Sequence, residues 1–473
     1  MQAAGSWHAR PALKHRFPSA GAPALPATRH SHPSPRSHSV WRLAWPTIVS
    51  NLLFNTVGFL HIKIVAGLGT SAVAAVTTGH RVFFLVQAIL MGVSVAATAL
   101  IARSWGAGQV RQAELVNWTS MLLSLGIAAL LSLPIVFAPE TIAGLFGLDR
   151  ETTLAAAGFI FWLGVFNLAA AANLILSTGL RATGDVITPL WFLFFSSLLN
   201  VCFAYILAFG IGPFPQFGVP GVALGGSFAG MLITLTFVAL WWRGNFNLKP
   251  TRQARIDWVT AKQLLTIGAP AMLEQGLVQL GFLAFFGIVA SYGNNAYAAY
   301  GIGISLVSFS IVVGFGFGIA AATLVGQQLG AGRPDLALAA GWRSLRLALL
   351  TMGILALVQV WYARELASFM IDDPEVIHLT VVFIYMLAAS LPMMACDLTL
   401  AGALRGAGET RFPLISTFCG MIFGRLLPAW LFVSLGLSIY WIFAVMLLDY
   451  SIKAFLLVRR YRSCKWLTVE PAL

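Results

Sequence analysis

The stretch Gly179-Leu180-Arg181-Ala182-Thr183-Gly184-Asp185, followed by Pro189-Leu190, returns later in the chain as Ala403-Leu404-Arg405-Gly406-Ala407-Gly408-Glu409, followed by Pro413-Leu414. Each residue of the second copy lies 224 positions after its counterpart. The same offset carries Pro46 onto Pro270 and Gly106-Ala107-Gly108 onto Gly330-Ala331-Gly332. It also relates Gly69, Ala72, Ala74 and Ala75 to Gly293, Ala296, Ala298 and Ala299, Trp118 to Trp342, and Asp149 to Asp373. Chance does not hold register over such a distance without a gap. The chain consists of two homologous halves, which predicts two similar bundles facing one another across a cavity, an arrangement suited to alternating access.

The halves are built for lipid. Of the 473 residues, 59% are hydrophobic and 10% charged, with a mean hydropathy of +0.84, whereas soluble domains are about 25% charged. The expected fold is an all-α integral membrane protein, because a spanning helix satisfies its own backbone and needs about 20 apolar residues. Twelve such spans are predicted over 43–66, 73–102, 112–137, 152–179, 187–210, 219–242, 262–290, 297–327, 335–361, 375–403, 411–434 and 438–459. With six spans in each half, both halves enter the membrane in the same direction, so their pseudo-twofold axis runs along the membrane normal.

The net charge of +13 does not point to nucleic acid, since the basic residues occupy short segments between spans. If the N-terminus is cytoplasmic, that side receives Arg103, Arg111, Arg181, Arg243, Lys249, Arg252, Arg255, Lys262, Arg333, Arg343, Arg346, Arg405, Arg411, Arg459, Arg460, Arg462 and Lys465. Arg150 and Arg364 fall on the other side, among Glu140, Asp149, Glu151, Glu365, Asp372, Asp373 and Glu375. The positive-inside rule then places both termini in the cytoplasm of a multi-pass inner (plasma) membrane protein.

Residues 1–40, rich in Pro, Ser, His and Arg and free of acids, are expected to be a disordered N-terminal tail; a transit peptide or a misassigned start shares that composition. The expected divisions after it are an N-lobe over 41–243, a cytoplasmic linker over 244–261, a C-lobe over 262–460 and a C-terminal tail over 461–473. Cys202, Cys396, Cys419 and Cys464 stand singly, which indicates neither a disulfide framework nor a metal site.

The glycines of the repeated Leu-Arg motif allow a tight turn, the following acid favours a helix N-terminus, and Arg181 and Arg405 complete helix C-termini. A cytoplasmic gate is the competing reading of the two arginines. The Gly-Ala-Gly segments read as tight loops, and neither ends in the Gly-Lys-Ser/Thr of a phosphate-binding loop.

Taken together, Trp-Pro or Ala-Pro in the first span of each half, Gly-X-X-Ala-X-Ala-Ala after it, Gly-Ala-Gly after the second and Leu-Arg-Gly/Ala-X-Gly-Asp/Glu near the fifth resemble the multidrug and toxic compound extrusion (MATE) family. The resemblance covers about residues 41–460. It implies a two-lobed secondary exporter of amphipathic, often cationic, small molecules, working against entry of protons or sodium ions. No cofactor beyond that coupling ion, no nucleic acid and a monomer in the lipid bilayer are expected.

Ionisable groups within spans are functional candidates by default. The second half carries Glu274, Asp397, Arg425, Asp449 and Lys453 where the first has Ser50, Asn173, Val201, Gly225 and Ala229, so charge is expected in one lobe. Asp449 and Lys453, four apart, read as a self-neutralising pair. In MATE relatives carboxylates in spans 7 and 10 bind the coupling cation, which the resemblance carries onto Glu274 and Asp397, each about one helical turn from the family position. A buried cluster in which Arg425 neutralises one of these acids is the competing reading.

Many family members have an Asp fifteen residues after the first proline; here that place holds His61. It is a candidate proton relay, close to Lys63, or else both residues lie idle at the outer interface. Asn51, Asn55, Gln275, Gln279 and Arg425 are the expected residues of the substrate cavity, with interhelical hydrogen bonding the rival role for the amides. A flippase for a lipid-linked precursor is the alternative function. No nucleophile–base pair or metal cluster suggests an enzyme.

Overall fold

The computed structural model describes residues 39–251 and 256–468. The tail expected over 1–40 lies outside these, save its last two residues, as does part of the expected linker. Among the described residues the chain is helical, with twelve helices long and apolar enough to cross a membrane. They are α1 (Val40–Ala66), α2 (Thr70–Gly106), α3 (Val110–Phe137), α4 (Arg150–Thr183), α5 (Ile187–Phe209) and α6 (Gly218–Trp242) in the first half. The second half supplies α7 (Trp258–Ala290), α8 (Asn294–Gly330), α9 (Pro334–Trp361), α10 (Pro374–Gly406), α11 (Arg411–Ser434) and α12 (Ile439–Arg462). All twelve coincide with the predicted spans. Two short helices, Pro139–Gly144 and Ala363–Met370, fill segments read as loops; they too begin 224 residues apart.

Capping explains several boundaries. Asp149 Oδ2 accepts from the Thr152 amide (3.1 Å) at the start of α4, and Asp373 Oδ1 accepts from the amides of Glu375 (2.9 Å) and Val376 (3.1 Å) at the start of α10. The amide of Thr152 holds the Asp149 carboxyl below its ordinary value, as expected for an acid at a helix N-terminus.

The helices are apolar all round, and Leu130, Leu283, Leu357 and Phe455 stay exposed, as in a bundle surrounded by lipid. Interior faces are instead rich in small residues. Ala96, Ala97, Ala102, Ala320 and Ala321 are fully or almost fully buried, which brings backbones close enough for dispersion to hold helices together where no hydrophobic force acts between them.

The pseudo-twofold axis can be read from individual contacts between the halves. A Cβ on Gly92 of α2 would fall 2.8 Å from the carbonyl oxygen of Gly268 and 3.1 Å from the amide of Met272 in α7. One on Gly316 of α8 would fall 3.3 Å from the Ala44 oxygen and the Ile48 amide in α1. These six positions form three pairs related by 224: Gly92 with Gly316, Ala44 with Gly268 and Ile48 with Met272. At the ends of α2 and α8 Gly106 lies on the backbone of Gln327, and Gly330 lies on the backbone of Arg103, the same contact made twice. Gln327 Nε2 also donates to Ala182 O at 2.8 Å, and Thr323 Oγ1 to Arg181 O at 3.4 Å. All these junctions lie in the half of the bundle that carries the basic loops, so the lobes are shut at that face.

Two consequences differ from the sequence reading. Gly106 and Gly330 belong to helices rather than to tight loops, and they are glycines because a neighbouring backbone occupies the place of a side chain. The turns are made by Gly108 (φ 74°) and Gly332 (φ 68°), in the left-handed region that other residues avoid. The first helix of each half also leans onto the other half. Leu43, Ala44 and Ile48 of α1 join the core built around Phe317 and Phe383, while Leu264 and Ile267 of α7 join Ala97, Ile101 and Ala182.

Gly106→Val or Gly330→Val must therefore part the lobes at the basic face. In a background where buried Thr323 is replaced by Cys, either change is expected to raise the maleimide reactivity of that thiol severalfold. Unaltered reactivity would show that the crossing tolerates a side chain.

Candidate functional site

Among the described residues every salt bridge lies in the second half, as the distribution of charged residues predicts. Glu274 is buried halfway along α7. Its Oε1 receives two donors, the Arg405 guanidinium at 2.5 Å and the Thr417 hydroxyl at 3.0 Å. Its Oε2 is buried with no hydrogen-bond partner. A half-satisfied carboxylate in a low-dielectric interior is costly, and such an atom is a ready acceptor for a proton or ligand for a cation.

Asp397 on α10 is partly accessible. Among the described residues it makes no ion pair or hydrogen bond, yet it lies within electrostatic reach of Lys453, Asp449, Glu274 and Arg405. The structure thus brings the two expected acids into one electrostatic cluster and leaves each with unused coordinating capacity.

The rest of the cluster is closed. Asp449, fully buried, lies 3.0 Å from Lys453 Nζ and 2.5 Å from Arg425 Nη2. The self-neutralising pair therefore has a third member, and Arg425 pairs with Asp449 rather than with Glu274 or Asp397. Its guanidinium is stacked near the rings of Phe282 (5.0 Å), Tyr450 (5.5 Å) and Phe285 (5.7 Å). With its side chain 1% exposed, Arg425 is enclosed in the protein interior and does not line an open cavity, contrary to expectation. Local backbone makes this burial possible. From Gly420 to Leu426 the helix α11 widens into a π-helix, an irregularity often found at functional sites, and Gly420 and Gly424 lie directly against Asp449 and Lys453.

The twofold-related place in the first half has different chemistry. Gly225 stands where Asp449 does, Asn200 where Gly424 does and His61 where Phe285 does. The bulky polar group comes from α5 here and from α12 in the other lobe. His61 is buried, and its Nε2 lies 2.6 Å from Asn200 Oδ1, whose amide in turn donates to Gly226 O at 3.4 Å. Because a carbonyl oxygen only accepts, Nε2 carries the proton and Nδ1 presents a lone pair, buried and without a partner. The His80 ring stands edge-on at 5.7 Å. Lys63 is exposed and takes no part, so the structure separates two residues that the sequence reading kept together.

The remaining cavity candidates are dispersed in environment. Asn51, Asn55 and Gln275 are half-buried and Gln279 is exposed, with Asn55 Nδ2 donating to Asn51 O at 3.0 Å.

Sequence reasoning missed three participants. Arg405 was assigned to a helix end, yet it crosses to Glu274; its twin Arg181 stays on its own helix, donating from Nε to Ser177 O at 3.1 Å. The signal was available, because Arg recurs in both halves while only one half has an acid, Glu274 against Ser50. Thr417 and His80 were the others; His80, on α2, stands edge-on to His61 in the first lobe, whereas Arg81 beside it is exposed.

A duplicated bundle of twelve apolar helices, with charge buried in one lobe and no strand among the described residues, defines a multi-pass membrane transporter. The family model MatE matches residues 46–206 and 270–431, one match in each half, each starting at the repeated proline. The chain belongs to the MatE family of multidrug efflux transporters, a family of transporters and not of enzymes. It is 29% identical over 436 residues to a probable multidrug resistance protein NorM of Thermotoga maritima, covering 90% of this chain and 92% of that one. It is 25% identical over 367 residues to a FAD transporter of Shewanella oneidensis, covering 76% and 79%. In fold it is similar to a MOP superfamily transporter from Pyrococcus furiosus (TM-score 0.85, 19% identity, 91% and 96% covered). The Vibrio cholerae transporter VcmN in its bent form is also similar (TM-score 0.83, 19% identity, 90% and 96% covered).

Removing one member of a buried ion cluster leaves uncompensated charge. Asp449→Asn is therefore expected to lower stability by about 3–5 kcal/mol, visible as a large drop in melting temperature of the purified protein. A change below about 1 kcal/mol would show that the cluster is solvated.

Proposed function

We propose that the protein is an antiporter that exports amphipathic or cationic small molecules against inward flow of protons or sodium ions. The observation that carries this reading is Glu274 Oε2, a buried carboxylate oxygen without a partner in the same cluster as the unpaired Asp397. A carboxylate pair of this kind attracts a monovalent cation and gives it up when the surroundings change. His61 offers a second, neutral site at Nδ1, which suits a proton better than a metal cation.

Alternating access would follow from the symmetry. The mirrored junctions of α1 with α8 and of α2 with α7 leave the two lobes free to rock about the axis between them, with the cavity between 41–240 and 262–460. By the positive-inside rule the basic loops and both termini are assigned to the cytoplasm. Asn51, Asn55, Gln275 and Gln279 are assigned to the substrate path. The chain is taken to act as a monomer with no cofactor beyond the coupling ion. Relatives that include a FAD transporter favour defining the substrate by experiment rather than by family name. A lipid-precursor flippase is less well supported, because Arg405, Arg425 and Lys453 are each paired with acids and are not available to hold a pyrophosphate.

In proteoliposomes, substrate export is to be measured under an imposed sodium gradient and, separately, under a proton gradient. Glu274→Gln and Asp397→Asn should each bind substrate yet fail to concentrate it, with gradient-driven transport reduced at least about tenfold. His61→Phe, which copies Phe285 of the other half, is expected to weaken only the proton-driven component. Normal pumping by both carboxylate variants, with proton-driven export lost in His61→Phe, would move the coupling site to the first lobe.

Topology is tested with cysteines placed, in a cysteine-free background, at exposed positions. Those replacing Arg150 and Arg364 should react with an impermeant thiol reagent in intact cells, whereas those replacing Arg111 and Arg333 should not. The opposite pattern would invert the orientation.

A further inference from the structure

The charges around Glu274 are balanced without any added ion. Three acids, Glu274, Asp397 and Asp449, share one electrostatic cluster with three bases, Arg405, Arg425 and Lys453. Tyr300 and Tyr450 are the other titratable groups around Arg425. A proton or a sodium ion added to either coupling carboxylate leaves the cluster with one excess positive charge in a medium that solvates it poorly. One base has to withdraw.

Arg405 is the base able to do so. Arg425 and Lys453 are anchored on Asp449, with side chains 1% and 5% exposed, whereas the Arg405 side chain is 16% exposed and has Glu274 as its one ion-pair partner. It also stands one residue before the end of α10, next to the turn made by Gly408 (φ 88°).

Its destination is displayed by the other half. Arg181, the twofold twin, has Ser50 where Arg405 has Glu274, and it turns back to donate to the carbonyl of Ser177, four residues earlier, at 3.1 Å. The equivalent acceptor for Arg405 is the carbonyl of Ala401. There a cation lies toward the negative end of the helix dipole.

Resting on the assignment of the coupling ion to Glu274 and Asp397, we propose that Arg405 is a tethered rival of that ion. Its guanidinium holds Glu274 in this conformation, and entry of a proton or sodium ion drives it into the pose seen at Arg181. The exchange is one positive charge for another at Glu274. It frees both oxygens of Glu274 while the Thr417 hydroxyl remains beside them. Arg405 is thus a positioning residue whose release sets how tightly the ion is held.

The test uses the purified full-length protein, titrated with sodium chloride at fixed pH in one arm and followed for proton uptake without sodium in the other. Arg405→Gln removes the rival, so the half-saturating sodium concentration should fall about tenfold, or the midpoint of proton uptake should rise by about one pH unit. Arg405→Lys keeps the charge and should lie close to the parent. Arg181→Gln, whose parent arginine faces no acid, should change neither value. Unchanged ion affinity in Arg405→Gln overturns the proposal. Should that variant fail to fold, Glu274→Gln is compared with the double variant Glu274→Gln/Arg405→Gln. The single change strands a guanidinium beside Asp397 and weakens ion binding; the double change should restore most of it, and no recovery would count against a rival cation. Were the parent's ion binding indifferent to both Glu274→Gln and Asp397→Asn, the coupling assignment itself would fall, and this proposal with it. Ion binding sensitive to those two changes but blind to Arg405 would overturn the proposal alone.

Discussion

Bare backbone against bare backbone holds the two halves together. At Gly106 and Gly330 a side chain is absent because the other lobe's main chain passes through the space it would fill, and at Gly92 and Gly316 that space is taken first by the side chains of Met272 and Ile48. Lipid offers no hydrophobic force between helices, so packing of this closeness is the available source of cohesion. It also fixes geometry. Since the contacts occur in twofold-related pairs, the two lobes cannot slide along one another without breaking both members of a pair, but they can hinge about the axis that relates them.

The symmetry of the scaffold makes the asymmetry of its chemistry informative. One lobe buries three acids and three bases around a π-helical segment; the other places a neutral imidazole and an amide at the corresponding crossing. A glycine and a polar residue trade helices between the two, Gly225 and Asn200 in the first, Asp449 and Gly424 in the second. The same backbone crossing therefore accommodates a polar group from either side, provided that the facing position is glycine. Charged and uncharged versions of one site face each other across the molecule.

Much of this was legible in the sequence. The spans were recovered because lipid permits little besides helix and demands length, and the parallel repeat followed from a constant offset and an even count. The charged lobe was evident from Glu274, Asp397, Arg425, Asp449 and Lys453 alone. What was not legible depends on partners distant in sequence. Gly106 looks like a turn residue until Gln327 is placed against it, and Arg405 looks like a cap until Glu274 is found 131 residues earlier. Arg425 was read as a cavity residue because a lone charge in a span invites a functional role; neither the widening of α11 nor the aromatic rings that enclose it leaves a mark in local sequence. His61 and Lys63, two apart, face different surroundings on a helix, which periodicity states but a list of intramembrane charges does not.

The glycine contacts across the axis are each made twice, Gly92 on Gly268 with Gly316 on Ala44 and Gly106 on Gln327 with Gly330 on Arg103, so a single half already encodes both sides of this interface. Two separate copies of an ancestral half would have docked in the same way, as a symmetric dimer. Such a dimer obeys its own rule: any residue gained on one side appears on the other, and a buried six-charge cluster would have been built twice around the same cavity. Joining the halves in one chain lifts that rule. One copy could become charged while the other kept glycine and an amide, giving one charged cluster in each molecule, a ratio that a dimer of identical halves cannot reach.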